Sequence, residues 1–326
     1  MTDPQDRPAH AAPAQGTLPA RRTASWRTVA KGIAIAVVVV FIAAFVVQNW
    51  DGVRAGLVRL RPVDVAAATV TALVGIVASM LSWRSLVTGA GSRLSLAAAS
   101  RVFFLGQLGK YVPGSVWPVV AQMELSKRYD VPRSRAAFAA LAQMLVGVVT
   151  AVLVAGVCLA LSPVGVLGGY WWLYLLAPLM LALLAPPVLN RCITLASRLT
   201  GGRFVVGEPL TWQTVGAAAA WALLMWGAFG VHIWVMASRL APEPSSLLLL
   251  ATGGYALASV VGILIIILPA GAGAREAVII LVFAGVLSGD DALVVALVSR
   301  FLMLGADLVG AGAAILATRR RAPITD

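Results

Sequence analysis

Apolar runs of roughly 20 residues, separated by short polar or basic intervals, set the rhythm of the chain from residue 32 to residue 318. Runs of about that length cross the hydrocarbon core of a bilayer as α-helices. Taken in order they predict crossings over 32–47, 63–83, 136–161, 173–189, 212–237, 247–268, 277–287 and 292–318. The expected fold class is all-α. It is a polytopic integral membrane protein with about eight spanning helices plus one or two re-entrant or broken helix hairpins. Between the runs, residues 51–62 and 191–203 read as loops, and Tyr170, Trp171, Trp172 and Tyr174 read as an interfacial belt.

One stretch breaks the rhythm. Residues 105–124 have apolar flanks, yet Gly109, Pro113, Gly114 and Pro118 interrupt them, Lys110 puts a charge inside, and Glu124 closes the segment. As one straight helix, 102–122 would be about 31 Å long and would just cross. Charge parity argues for another path. Arg84, Arg93 and Arg101 precede the stretch, and Lys127, Arg128, Arg133 and Arg135 come after it. Basic residues favour the cytoplasmic side, so a re-entrant hairpin over about 102–122 keeps all seven there. A second break, 268–276, contains Pro269, Gly271, Gly273, Arg275 and Glu276. The segment 247–287 admits two drawings: two spans with a cytoplasmic break, or a second hairpin opening to the outside. The second would bring two oppositely oriented hairpins together, an arrangement that transporters use around a substrate site.

Composition sharpens the class. Sixty per cent of the residues are hydrophobic and only 12% are charged, about half the charged share of a soluble domain. The net charge is +12, but the basic residues lie between apolar runs, so anionic lipid is the expected partner and nucleic acid is not. Residues 1–28 lack any apolar period and read as a disordered cytoplasmic tail. Residues 29–320 form a single membrane domain, and 321–326 a second short cytoplasmic tail. Arg21, Arg22, Arg27 and Lys31 ahead of the first run put the N-terminus inside. Arg319, Arg320 and Arg321 do the same for the C-terminus. Arg54, Arg59 and Arg61 fall on the outside in this topology, against the trend. Cys158 and Cys192 read as unrelated small residues, with no disulfide and no metal site. The signatures of nucleotide, zinc-hydrolase and serine-hydrolase chemistry are missing from the sequence. No cofactor is expected, and the chain is read as a non-enzyme.

A charge at the centre of a spanning helix costs roughly 2.5–3.5 kcal/mol on insertion scales. Charges kept inside apolar stretches are therefore the informative ones: Lys110, Glu124, Arg275, Glu276, Arg300 and Asp307. Lys110 reads either as a cation that holds a lipid phosphate at a hairpin tip, or as a lysine snorkelling to the headgroups. Arg275 and Glu276 read as an anion site with its counterion, or as an ordinary helix start. Arg300 and Asp307 share a face but lie about 10 Å apart along the axis. Glu276 is the candidate partner for Arg300. Tyr111 and Trp117 read as interface anchors ahead of stacking platforms, and His232 as a hydrogen-bonded core residue ahead of a proton relay.

The run GKYVPGSVW at 109–117, the basic loop after Glu124 and the run LPAGAGAREA at 268–277 resemble the lysylphosphatidylglycerol synthase transmembrane-region family, whose members are also described as flippase-like. Lys110, Tyr111, Pro113, Gly114 and Trp117 match the first motif, and Pro269, Gly271, Gly273, Arg275 and Glu276 the second. Some members carry an aminoacyl-transferase domain after the membrane region, whereas this sequence ends at Asp326. The resemblance therefore implies translocation of an anionic phospholipid or lipid-linked substrate across the cell membrane, not lipid aminoacylation. The proposed substrate-binding set is Lys110, Tyr111, Pro113, Gly114, Trp117, Glu124, Arg275, Glu276, Arg300 and Asp307. Two other readings stand beside it: a secondary transporter of small solutes or ions, and a non-catalytic membrane partner of an envelope-lipid enzyme. A homo-oligomer is compatible with all three.

Overall fold

The computed structural model describes residue 47 and residues 50–112, 116–162, 177–199, 207–241, 247–265 and 271–319. Eleven α-helices cover them: α1 (Trp50–Arg59), α2 (Pro62–Gly89), α3 (Leu96–Gln107), α4 (Trp117–Ser126), α5 (Arg133–Leu161), α6 (Ala177–Leu183), α7 (Pro186–Leu199), α8 (Trp212–Leu240), α9 (Leu247–Leu264), α10 (Ala274–Phe283) and α11 (Gly289–Arg319). Five of these are long and apolar enough to cross a membrane: α2, α5, α8, α9 and α11. All of the expected crossing 32–47 except residue 47, the tail 1–28 and the tail 321–326 lie outside the described residues, as does the aromatic belt.

Small residues set the packing. Helix α2 lies along α8 over most of its length, with Ala68, Ala72 and Ala218 fully buried between them. Gly75 faces the Phe229 ring so closely that a methyl group there would overlap it. Ser82 donates to the Ala218 carbonyl at 2.8 Å. Lipid tails are as apolar as leucine, so helices in a bilayer gain most from such close backbone approach and from buried hydrogen bonds. His232 joins three helices. Its Nδ1 lies 2.8 Å from the Ala68 carbonyl and its Nε2 lies 2.9 Å from Ser299 Oγ. A carbonyl can only accept, so Nδ1 carries the proton and Nε2 accepts from the serine. This is the hydrogen-bonded core histidine.

Contacts fix how the ends align. Arg101, midway along α3, donates to Thr318 at the end of α11 at 2.7 Å. Arg135 at the start of α5 donates to Ser92 at 2.9 Å. These residues, with Arg84, Arg93, Lys127, Arg128 and Arg133, share one basic end. At the far end, Arg61 and Arg239 both bind Asp64 at the start of α2, at 3.0 and 3.1 Å, and Arg59 pairs with Asp291 at the start of α11. Arg59 and Arg61, two of the three arginines that ran against the charge trend, thus have carboxylate partners there.

Three sequence expectations change. Residues 51–62 are not a loop, because 50–59 form α1, whose Val53 and Gly56 are buried with Gly56 against Asp291 and Val294 of α11. Asp51 in its first turn and Arg59 in its last suit the helix dipole. The expected crossing 173–189 does not continue through its described part. Helix α6 stops at Leu183, a new helix starts at Pro186, and proline is tolerated in the first turn because its missing N–H has no partner there. The supposed loop from Arg191 is then helical as far as Leu199. Asn190 fastens α7 to the chain before α8, accepting from Leu210 N at 2.9 Å and donating to its carbonyl at 3.0 Å.

Two helical hairpins enter this bundle from opposite ends. In the first, α3 runs from the basic end to a 3-10 turn at Leu108–Tyr111, and α4 runs back. Gly106 lies against Gln122, and Gly109 lies against the backbone of Trp117 and Pro118. A methyl group on Gly109 would come within 2.8 Å of the Trp117 carbonyl carbon, so only glycine lets the arms meet. A straight helix over 102–122 is excluded. In the second hairpin, α9 runs in from the far end and α10 returns. Gly254 faces Val282, and Gly262 faces Gly271 and Arg275. Gly271 has φ +67°, a left-handed conformation that costs other residues roughly 1–2 kcal/mol. At ten residues, α10 is about 15 Å long, too short to cross alone.

Candidate functional site

The two hairpin tips meet beside α11. Lys110 sits in the 3-10 turn of the first tip, with Nζ 2.6 Å from Asp307 Oδ2. The neighbouring Tyr111 hydroxyl donates to the same oxygen at 2.6 Å. Asp307 itself is 3% exposed, so it is compensated at once by a cation and a phenol. At the second tip, Arg275 opens α10. It donates to the Tyr255 hydroxyl and stacks over that ring, with Cζ 4.9 Å from the centroid. Glu276, one residue on, accepts from the Gly273 N–H at 2.6 Å, which caps the helix start. Its other oxygen accepts from Arg300 of α11 at 2.5 Å.

Arg300 thus pairs with Glu276, and Asp307 with Lys110. Each reaches a different hairpin, and α11 is the post to which both tips are tied. The cluster holds three cations, Lys110, Arg275 and Arg300, against two carboxylates, Glu276 and Asp307. Among the described residues Arg275 has no carboxylate within ion-pair distance. The positive charge in excess is therefore placed on the second tip.

Lys110 and Arg275 line all three voids that meet here, of about 290, 130 and 30 Å³. The largest runs between α4, α5, α8 and α9. Its floor is cationic, and its wall carries Gln107, Gln122 and Gln143 from three different helices. Val112, Met144 and Ile265 also line it, and these three are exposed to the surroundings, so the rim is apolar. Gln143 donates to Ser79 at 3.2 Å. Gln122 is 2% exposed, and its Oε1 is buried with no hydrogen-bond partner among the described residues. Leaving such an atom unpaired costs about 1–3 kcal/mol. Trp226 donates its indole N–H to Thr150 Oγ1 at 3.1 Å, which leaves its ring as wall.

Of the ten sequence-selected residues, Lys110, Tyr111, Arg275, Glu276, Arg300 and Asp307 come together. Pro113 and Gly114, and Pro269 of the second motif, lie outside the described residues. Trp117 and Glu124 do not join the cluster. Helix α4 carries them away from the tip, Trp117 exposed at its start and Glu124 at the basic end. There Glu124 binds Lys127 at 2.5 Å and Arg133 at 2.6 Å. The hydrogen bond from Lys127, reinforced by Arg133, holds its carboxyl below the usual carboxylate range. Tyr255 and the three glutamines were missed from sequence, although a carbamoyl group in an apolar helix is itself a costly, informative choice.

Among curated proteins, no sequence matches the chain. A family pattern does: that of the lysylphosphatidylglycerol synthase TM region matches residues 29–310, and the chain belongs to this family.

Proposed function

We propose that the protein moves an anionic phospholipid or lipid-linked substrate across the cytoplasmic membrane without covalent chemistry, the headgroup passing over the hairpin tips while the tails stay in lipid. Family membership links this membrane protein to lipid metabolism. One observation carries the finer reading. Arg275, with no carboxylate partner among the described residues, faces a cavity whose floor is cationic and whose rim, at Val112, Met144 and Ile265, is apolar. A phosphate fits the floor, and acyl chains fit the rim. Lys110 and Arg300, each tied to a carboxylate, would hold the tips in place and exchange partners as the phosphate passes.

In this reading the basic end faces the cytoplasm and both termini lie there. Residues 32–47 would add a crossing to the five long helices. The test is flipping of tail-labelled anionic lipids in proteoliposomes. Wild type is expected to exceed empty liposomes, and Arg275→Ala is expected to lose the activity. Equal rates for wild type, Arg275→Ala and Lys110→Ala would sink the proposed roles. Uptake of water-soluble phosphate compounds with no lipid movement would move the protein to the small-solute class.

A further inference from the structure

Behind the largest cavity lies a buried carboxylate whose only part in the proposed path is to hold Lys110. Asp307 faces an inner void of about 130 Å³. Lys110 lines both that void and the outer cavity of about 290 Å³, so it stands between an arriving anion and its own counterion. Taking that anion to be a phosphate ester, as proposed above, we infer that its binding is coupled to uptake of one proton by Asp307. Lys110 Nζ lies 2.6 Å from Asp307 Oδ2, and the lysine side chain is 30% exposed against 3% for the aspartate. An ammonium on a flexible four-carbon stem can turn to the outer cavity, whereas the short aspartate stays behind on α11.

The exchange leaves Asp307 short of a cation. Tyr111 donates to Oδ2 at 2.6 Å but brings no charge. Arg275 of α10 also lines the inner void, yet it is held on the Tyr255 hydroxyl and ring. Arg300, about two turns away on α11 itself, is held by Glu276. His232 of α8 is committed to the Ala68 carbonyl and Ser299. Among the described residues, those that α2, α3 and α9 place on the void are uncharged, with Ser79, Gln107, Tyr255 and Ser259 as the polar ones. A buried carboxylate stripped of its partner is costly, and taking a proton removes the charge. The step balances simply. A hydronium ion gives its proton to the Asp307 carboxylate, Lys110 stays an ammonium, and the phosphate takes over its pairing without breaking a covalent bond. Protonated Asp307 can still accept from Tyr111. Gln107 and Ser259 line both voids and give water polar partners on the way in. One monoanion and one proton arrive together, so the cluster keeps its net charge.

The test is calorimetric titration of the full-length protein in detergent at about pH 6, where ordinary carboxylates are ionised. Repeating it in two buffers of different ionisation enthalpy counts the protons taken up per ligand. The ligands are short-chain phosphatidylglycerol and, as the tail-less arm, diethyl phosphate. Both are phosphodiesters, which carry one negative charge there and take up no proton themselves. Wild type should take up about one proton per ligand, and its affinity should fall by up to about tenfold for each unit rise in pH. Asp307→Asn should bind with no proton uptake and lose that pH dependence, whereas a merely structural role would leave the proton count alone. The wild-type count and pH slope need no variant, so they decide the matter even should Asp307→Asn fail to fold. Binding by wild type without proton uptake, or undiminished uptake in Asp307→Asn, would overturn the coupling and leave the phosphate site standing. Equal proton counts for the two ligands would support the coupling and extend it to free phosphate esters, and uptake with phosphatidylglycerol alone would assign it to lipid. Proton-coupled binding with no flipping would sink the translocation reading alone. Failure of both ligands to bind would sink the phosphate reading and the coupling with it.

Discussion

The two hairpins present cations at their tips, but they hold them differently. In the first, Lys110 is neutralised at 2.6 Å by Asp307, with Tyr111 on the same oxygen. In the second, Arg275 rests on a tyrosine, and the adjacent Glu276 is turned away to Arg300. The first tip has committed its charge to architecture, whereas the second keeps its charge for something else. A buried ion pair is poor evidence of net stabilisation, yet removing one partner is costly because the other is left uncompensated. A cation held by a π face and a hydroxyl loses less when removed, since no opposite charge is stranded. Stability and function should therefore separate between the tips.

The largest expected effect comes from the first tip. Lys110→Ala strands a carboxylate that is 3% exposed and should destabilise the protein by about 3–5 kcal/mol, read as denaturant or thermal unfolding in detergent. Combining it with Asp307→Asn should recover part of that loss, because the buried charge goes too. If the double variant is no better than Lys110→Ala, the pair does not fix the tip. Next in size is Gly271→Ala. At φ +67°, with Gly262 Cα 2.7 Å from an added methyl group, it should cost at least about 1–2 kcal/mol from backbone conformation alone. An unchanged melting temperature would mean that the second tip is not held as tightly as the first.

The same physics decides which of these features were legible in the sequence. Lys110, Arg275 and Arg300 stood out because a charge in an apolar run must have a reason, and the hairpin at 102–122 emerged from basic residues on both flanks. Pairing was less legible. That Asp307 serves Lys110 and Glu276 serves Arg300 depends on where α11 passes the tips, which hydropathy does not encode. Glu124 was misjudged because nearness in sequence to the break stood in for nearness in space. Ten helical residues carry the chain about 15 Å, enough to move Glu124 from the tip to the basic end. Helices α1 and α7 were read as loops because their apolar faces are narrow and their charges frequent. Gln122 was overlooked because an amide does not register as a charge, although its burial unpaired makes it as informative as one.

Arg275→Ala should sharpen the contrast between the tips. It gives up a cation–π contact and one hydrogen bond, so about 0.5–2 kcal/mol of stability is at stake, less than for Lys110→Ala. Flipping should nevertheless fall by tenfold or more, since a hydrogen bond between charged groups carries about 1.5–3 kcal/mol. A loss of stability equal to that of Lys110→Ala, with flipping retained in the folded fraction, would reverse the assignment of the two tips.

The smallest effect is expected where a charged cluster is exposed. Glu124 meets Lys127 and Arg133 with half its side chain in the surroundings, so water and salt screen what burial preserves at Asp307. Its depressed titration makes the sign definite. A carboxylate whose folded pKa lies below its unfolded value adds stability above the unfolded pKa, and that stability is lost as pH falls through the folded one. Glu124→Gln should therefore melt slightly below wild type at neutral pH in low salt. The gap should close in about 0.5 M salt, where charges are screened within a few ångströms. It should also close as acid protonates the wild-type carboxyl below the ordinary carboxylate range. Flipping should be unaffected, because α4 has carried this residue away from the cavity. A large, salt-insensitive deficit together with lost flipping would join Glu124 energetically to the first tip, and the separation of that hairpin into a functional turn and a solvated root would fall.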